Sequence, residues 1–357
     1  MRRPWLAPFT PLYAAGLALR NLRIETGWGP VRRLRWPVVS IGNLSTGGTG
    51  KTPLTIALAR ALTQRGFQVD VLSRGYGRQG QLPARVDPDG AAEDFGDEPL
   101  LIAREAGVPV YVAAQRYQAG LMAEADACEN TPCPILSRSM RKGGKPRTTT
   151  VDEENHPPIV HLLDDGFQHR QLARDVDILL LDRQDWTDNL LPAGNLREPL
   201  KSARRAGVIA IPADDPGLEA ELKAWGWQGS VWQLHRKMEV PAIDGSVVAF
   251  CGIARPEQFF AGLEAAGLHI AAQLAFPDHH RYTAADLKRL AAAARTAGAT
   301  ALITTEKDQI RLGKLTSVFP ESLPLKTAGL RVEIEDESAA INWLAGQLAP
   351  SSPHPPL

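Results

Sequence analysis

The chain has 357 residues, with 40 Lys and Arg against 40 Asp and Glu, 44% hydrophobic residues and 22% charged ones. That hydrophobic share fills ordinary globular cores and excludes a wholly disordered chain, while a formal net charge of zero excludes a general nucleic-acid binder, which needs a broad basic excess. Three cysteines (Cys128, Cys133, Cys251) without a C-x-x-C, and eight histidines without an H-E-x-x-H, exclude a disulfide framework, a cysteine-built zinc site and a zincin, and fit a reducing cytosol.

The first 35 residues stand apart. Seven arginines (Arg2, Arg3, Arg20, Arg23, Arg32, Arg33, Arg35) face the single acid Glu25, a local net charge of +6. Between them Pro4 to Leu19 carries no charge, and Trp5, Phe9, Leu12 and Tyr13 fall near helical spacing. The stretch is shorter than the ~20 residues of a spanning helix, and Pro8 and Pro11 interrupt it. An amphipathic helix lying in a membrane interface, with basic flanks worth about 1 kcal/mol per Arg near an anionic leaflet, is one reading. A helix docked on its own domain is the other, and both stand at this level. A signal peptide is disfavoured, because a nucleotide-binding loop follows directly.

Pro37 to Gly42 predicts a buried strand that runs into Gly47-Gly-Thr-Gly-Lys-Thr52, and Pro53 to Arg65 has helical periodicity. A second strand, Gln68 to Ser73, ends in Arg74-Gly-Tyr-Gly-Arg78. Further apolar runs at 108–113, 159–164, 176–182 and 207–212 alternate with helical patterns, which predicts a parallel sheet covered on both faces. The segment 129–156 interrupts this pattern as a surface insertion. A second α/β block begins near Ser246, with strands at 247–253, 270–276 and 301–305, helices at 256–266 and 283–297, and a linker near Leu234 to Asp244. The expected fold class is α/β: a P-loop NTPase-type parallel sheet with helices on both faces, a second smaller α/β domain and an N-terminal amphipathic helix. The expected parts are 1–35 (basic, membrane-associating), 36–235 (P-loop kinase domain), 236–345 (C-terminal α/β domain) and 346–357 (tail).

The chemistry concentrates at the strand–loop–helix of residues 45–52. A glycine-rich turn at a helix N-terminus surrounds phosphate oxygens with backbone N–H groups. Ser45, Thr46, Gly47, Gly48, Thr49 and Gly50 would form that cradle, with Lys51 reaching the β/γ-phosphates of ATP and Thr52 ligating Mg²⁺. Ser45 departs from the pattern, replacing its first glycine. His161-Leu-Leu-Asp164-Asp165 is an apolar strand ending in two carboxylates, so Asp164 suits a metal-holding role and Asp165 the orienting or deprotonation of an attacking hydroxyl. Phe276-Pro-Asp-His-His280 offers a histidine as partner to a catalytic aspartate, or a structural loop histidine; no ligand set for a metal accompanies it. Arg74 and Arg78 stand where an anionic substrate meets the carboxyl edge of a sheet, or are merely solvated. From their residues alone, Gly96-Asp-Glu-Pro99 and Gly194-Asn-Leu-Arg-Glu-Pro199 are polar loops.

Taken together, Ile41 to Pro53, Ser73 to Arg78, Gly96 to Pro99, Leu163-Asp-Asp-Gly-Phe-Gln-His169, Pro192 to Pro199, Phe276 to His280 and Thr304-Thr-Glu-Lys-Asp308 resemble the tetraacyldisaccharide 4'-kinase family of Gram-negative lipid A biosynthesis. Loss of the first Walker glycine is a habit of that family, so Ser45 is no sign of inactivity. The resemblance implies transfer of the γ-phosphate of ATP to the 4'-hydroxyl of a tetraacylated, 1-phosphorylated glucosamine disaccharide, forming lipid IVA. It implies that Lys51 and Thr52 hold ATP and Mg²⁺, that Asp164 binds metal, and that Asp165 is the hydroxyl's base. Its partner is the His of the F-x-D-H segment, placed at His279 with His280 as the neighbouring choice. Asp97, Arg197 and Glu198 match positions near nucleotide or substrate. The family's N-terminal helix implies peripheral attachment to the cytoplasmic face of the inner membrane, with the lipid substrate and the lipid surface as partners, and neither nucleic acid nor an obligate protein partner. The rival class is a P-loop switch ATPase or GTPase acting as a partitioning or delivery factor. Thr46 stands where its deviant Walker relatives carry lysine, and Thr305-Glu-Lys-Asp308 lacks N-K-x-D spacing.

Overall fold

The computed structural model describes residues 3–130 and 157–348. The expected insertion beyond residue 130, Cys133, and the tail from residue 349 lie outside the described residues.

The N-terminal segment opens with a 3-10 turn over Pro4–Phe9 and continues as α1 (Thr10–Glu25). Pro11 occupies the first turn of α1, where a missing N–H leaves no bond unmade, so it starts the helix rather than interrupting it. Next come β1 (Val38–Asn43), α2 (Lys51–Gln64), β2 (Gln68–Ser73), β3 (Ala84–Arg85), α3 (Ala92–Phe95), α4 (Asp97–Ala106), β4 (Val110–Val112) and α5 (Arg116–Asn130). The same half continues with β5 (Ile159–Asp164), β6 (Val176–Leu180), α6 (Arg183–Thr187), β7 (Val208–Pro212) and α7 (Pro216–Ala224). The chain leaves it along β8 (Ser230–Glu239) and builds β9 (Ser246–Cys251), α8 (Pro256–Ala265), β10 (His269–Ala275), α9 (Ala284–Ala297), β11 (Ala301–Thr305) and α10 (Glu306–Leu312). It returns along β12 (Leu325–Ile334) and ends the described region in α11 (Glu337–Leu348).

One sheet runs through the molecule in the order β10-β9-β11-β12-β8-β7-β6-β1-β5-β2-β4-β3. Its pairs are parallel except β8 with β12 and the edge pair β3 with β4. The continuous apolar runs are explained by burial on both faces. Val39 and Ile41 of β1 pack with Leu54 and Leu58 of α2, while Val38 points to the opposite core beside Ala119 and Ala123 of α5. The second half repeats the scheme: Val248 and Phe250 face Leu287 and Leu290 of α9, and Val247 and Ala249 face Phe259 and Leu263 of α8. Helix α9 is fixed at its start by a capping box between Thr283 and Asp286.

The domain boundaries differ from expectation. The linker expected at 234–244 is, as far as Glu239, the strand β8, whose antiparallel register with β12 runs from Leu234 opposite Ile334 to Glu239 opposite Gly329. A boundary after residue 235 would cut this ribbon. Residues beyond 325 also rejoin the first half: Ile341, Leu344 and Leu348 of α11 share a core with Leu54 and Leu62 of α2.

Candidate active site

β1 delivers the chain to the phosphate-binding loop, and α2 begins at Lys51 directly behind it. Gly50, the residue before the helix, has φ +91°, a conformation that side chains resist, and Gly47 has φ +129°. Ser45 has no positive φ, so a glycine is not required there. The segment 192–199 straps the loop instead: Ser45 bridges Leu196, the Thr46 N–H donates to Asn195 O at 2.8 Å, and Arg197 Nε donates to Ser45 O at 3.1 Å. From the far side Arg236 of β8 donates to Thr49 O at 2.8 Å. Lys51 Nζ donates to Asn43 Oδ1 at 3.1 Å and lies 3.6 Å from Asp165 Oδ1, and Thr52 is buried at the start of α2.

β5 lies beside β1, with Asp164 level with Ile41. Asp164 is buried, and among the described residues it receives two long hydroxyl contacts, from Ser73 at 3.3 Å and Thr55 at 3.5 Å. Burial first, then the negative charges of Glu98 and Asp165, push its carboxyl well above the ordinary range. Asp165 is the opposite case. Burial would raise it, but Lys51 and a bidentate fork from Arg197, both bonds at 3.0 Å, outweigh burial and hold it far below that range. Its backbone has φ +48°, and the other non-glycine residue with positive φ among those described is His279, at +58°. Strained backbone of this kind concentrates at functional sites.

The second half supplies the far wall. The structure corrects the expected pairing of His279 with Asp165: His279 Nδ1 lies 3.4 Å from Asp97 Oδ2 and 3.3 Å from Arg311, with the Tyr76 ring 5.1 Å away. Asp165 is committed to Arg197 and Lys51, whereas Asp97 stands at the N-terminus of α4 and faces the turn after β10. Gly96 makes that approach. Its φ is +91°, and a Cβ there would sit 3.0 Å from Tyr76 O. The hydrogen bond to Asp97 raises the imidazole of His279. Burial opposes ionisation of Asp97, but His279, Arg311 and Lys307 together hold its carboxyl far below the usual range. His280 bonds Asp286 at 3.1 Å within its own half and stacks on Phe276 at 4.8 Å.

Of the remaining expected residues, Arg197 is central, but Glu198 does not face the cleft. It is wholly buried between Arg20 of α1 at 3.1 Å and Arg205 at 2.8 Å, and so fixes the loop that carries Arg197. Tyr13 of α1 donates to Arg197 O at 3.0 Å, so the N-terminal helix braces the same loop. Arg78 turns back to Leu82 O at 2.8 Å, holding its own turn, while Arg74 is exposed. The sequence reading missed Arg116, a buried guanidinium whose Nε has no hydrogen-bond partner among the described residues. It also gave no role to Lys307 and Arg311 of α10, although their i, i+4 spacing places them on one helix face. A cavity of about 490 Å³ opens beside the loop, lined by Asp182, Asp214, His235, Arg236 and Arg255 among others. Arg255 closes one side by pairing with Asp182 at 2.9 Å.

Known proteins match this arrangement along nearly the whole chain. The family model described as tetraacyldisaccharide-1-P 4'-kinase matches residues 2–349. A tetraacyldisaccharide 4'-kinase from Koribacter versatilis is 40% identical over 94% of this chain and 96% of its own, and one from Chromobacterium violaceum is 36% identical over 87% and 84%. The crystal structure of LpxK from Aquifex aeolicus in complex with ATP superposes with a TM-score of 0.68 at 29% identity, covering 96% of this chain and 98% of that one. The chain therefore belongs to the tetraacyldisaccharide-1-P 4'-kinase family.

Proposed function

We propose that this protein transfers the γ-phosphate of ATP to the 4'-hydroxyl of a tetraacyldisaccharide 1-phosphate, with His279 as the base and Asp97 as its orienting partner. The observation that carries this reading is the Asp97–His279 pair, brought together from the two halves across the cleft. The loop amides and Lys51 hold the triphosphate, and the cavity beside Arg236 and Arg255 accommodates the nucleoside. Asp164, buried with no ion pair among the described residues, and the Thr52 hydroxyl fit a divalent ion such as Mg²⁺, which would neutralise phosphate charge when bound. His279 takes the proton of the attacking hydroxyl through Nε2, while Asp97 holds Nδ1 and stabilises the imidazolium that forms. Asp165 keeps Lys51 and Arg197 in place instead of acting as the base. Phosphoryl transfer depends mainly on positioning, and closure of the two halves excludes water that would otherwise hydrolyse ATP.

The unburied N-terminal helix supports attachment to a lipid surface. Trp5, Phe9, Leu12 and Leu19 are exposed, flanked by the arginines of residues 20–35, and among the described residues no helix is long and apolar enough to cross a membrane. We place the protein peripherally on the cytoplasmic face of the inner membrane, where ATP and the lipid meet. Arg74 and Arg116 supply positive charge for the substrate's phosphate. The test is incubation in detergent micelles with γ-labelled ATP, Mg²⁺ and the disaccharide 1-phosphate. Label on the lipid, reduced about 100-fold or more in His279→Ala, supports the reading. ATP hydrolysis without labelled lipid favours the switch ATPase instead.

A further inference from the structure

The Thr304-Thr-Glu-Lys-Asp308 segment joins β11 to α10, and four of its five side chains have evident local tasks. Thr304 Oγ1 donates to Phe250 O at 2.8 Å, and Thr305 caps α10 by accepting from the Asp308 N–H at 3.1 Å. Glu306 pairs with Arg331 at 2.7 Å, and Asp308, fully buried, accepts from the Gly252 N–H at 3.0 Å. All four contacts tie the segment into the second half and the ribbon strand beside it. Lys307 alone reaches across the cleft, and its Nζ meets Glu98 Oε1 of α4 at 2.5 Å. It is anchored on a rigid base, yet its side chain stays 26% exposed, so a ligand entering the cleft can reach it.

Charge explains what it could meet there. Two acids of the first half already have partners: Asp165 has Lys51 and Arg197 of its own half, and Asp97 has Arg311 and His279 of the second. Among the described residues Lys307 makes one ion pair, with Glu98, whose own side chain is partly exposed. A phosphoryl group in flight spreads negative charge over its equatorial oxygens, and P-loop enzymes commonly stabilise it with a cation delivered from outside the P-loop fold. We propose that Lys307 is such a cation, a γ-phosphoryl contact that the second half inserts against the nucleotide opposite Lys51. The proposal rests on the cleft being the ATP site.

The discriminating measurement compares binding of ADP and the non-hydrolysable analogue AMP-PCP by calorimetry in Mg²⁺, for wild type and Lys307→Gln. Loss of one charged hydrogen bond predicts that AMP-PCP affinity falls about 10- to 100-fold while ADP affinity stays within about 3-fold, and that kcat falls about 100-fold or more. A metal effect would have the opposite sign, because removing Lys307 leaves Glu98 freer to attract a divalent ion. Equal losses for both nucleotides, no loss, or tighter AMP-PCP binding would each overturn the proposal and leave Lys307 as an ion pair between the halves. Wild-type protein that binds neither nucleotide would overturn the reading of the cleft, a separate result. If Lys307→Gln does not melt cooperatively, Lys307→Arg decides. It keeps the Glu98 pair but displaces the charge, so an AMP-PCP-specific loss of about 5-fold or more supports the contact, and unchanged selectivity refutes it.

Discussion

Replacing Asp97 by asparagine keeps the side-chain shape and removes the charge that orients His279. At 3.4 Å the carboxylate stabilises the imidazolium formed as the hydroxyl loses its proton, but His279 keeps 36% of its side chain exposed, which weakens the pair by solvent screening. A charge-assisted hydrogen bond of this kind is worth about 1.5–3 kcal/mol, so kcat should fall about 10- to 150-fold. The nucleotide cradle on the first half is untouched, so KM for ATP should move less than about 3-fold. The fold should survive, because Arg311, which loses its Asp97 partner, retains Asp308 at 3.0 Å and Gly252 O. The sign of the pH dependence follows from the raised imidazole. The base works when neutral, so activity rises with pH through its pKa, and without Asp97 the acidic limb of kcat/KM moves to lower pH beneath a lower plateau. Steady-state kinetics in micelles across pH 5–9 measures both effects. The double variant Asp97→Asn/His279→Ala should be no slower than His279→Ala alone, since one unit has been broken twice. Losses that multiply, or an acidic limb that stays in place, would refute the pairing.

Two further outcomes test other parts of the molecule. Deleting residues 1–25 should move the protein from sedimented anionic vesicles into the supernatant, because Trp5 and Leu12, 73% and 76% exposed, can no longer enter a lipid surface; unchanged sedimentation would remove the anchor. His161, fully buried, is held to Asp70 at 2.8 Å and raised to about 9 although burial alone would lower it. The folded state therefore binds a proton more tightly than the unfolded chain, whose His titrates near ~6.5. This contribution is complete below about pH 6.5 and fades as pH rises to about 9, a loss of up to about 3 kcal/mol by linkage. Denaturant midpoints should fall across that window in wild type, and His161→Gln should flatten the slope; parallel curves would show that the pair carries no linkage.

The phosphate loop, the Asp164 strand end and the alternation of strands and helices were legible because their signals are local. Gly50 needs φ +91° next to Lys51, and an apolar run buried on both faces, such as Val38 to Gly42, leaves the same pattern wherever it occurs. The ribbon of β8 with β12 was not legible: His235, Arg236 and Lys237 are exposed, so that stretch lacks the apolar alternation that marks a strand and resembles a linker. Nor could the sequence choose between Asp97 and Asp165 as partner of His279. Spacing along the chain says nothing about contacts between halves, and the two carboxylates look alike until their neighbours are known. Folding gives Asp165 two cations and Asp97 an imidazole, and the same packing carries Lys307 to Glu98. Local sterics and hydrophobic period therefore set the elements from sequence alone, while the division of charge across the cleft, which decides the chemistry, arises only when the two halves meet.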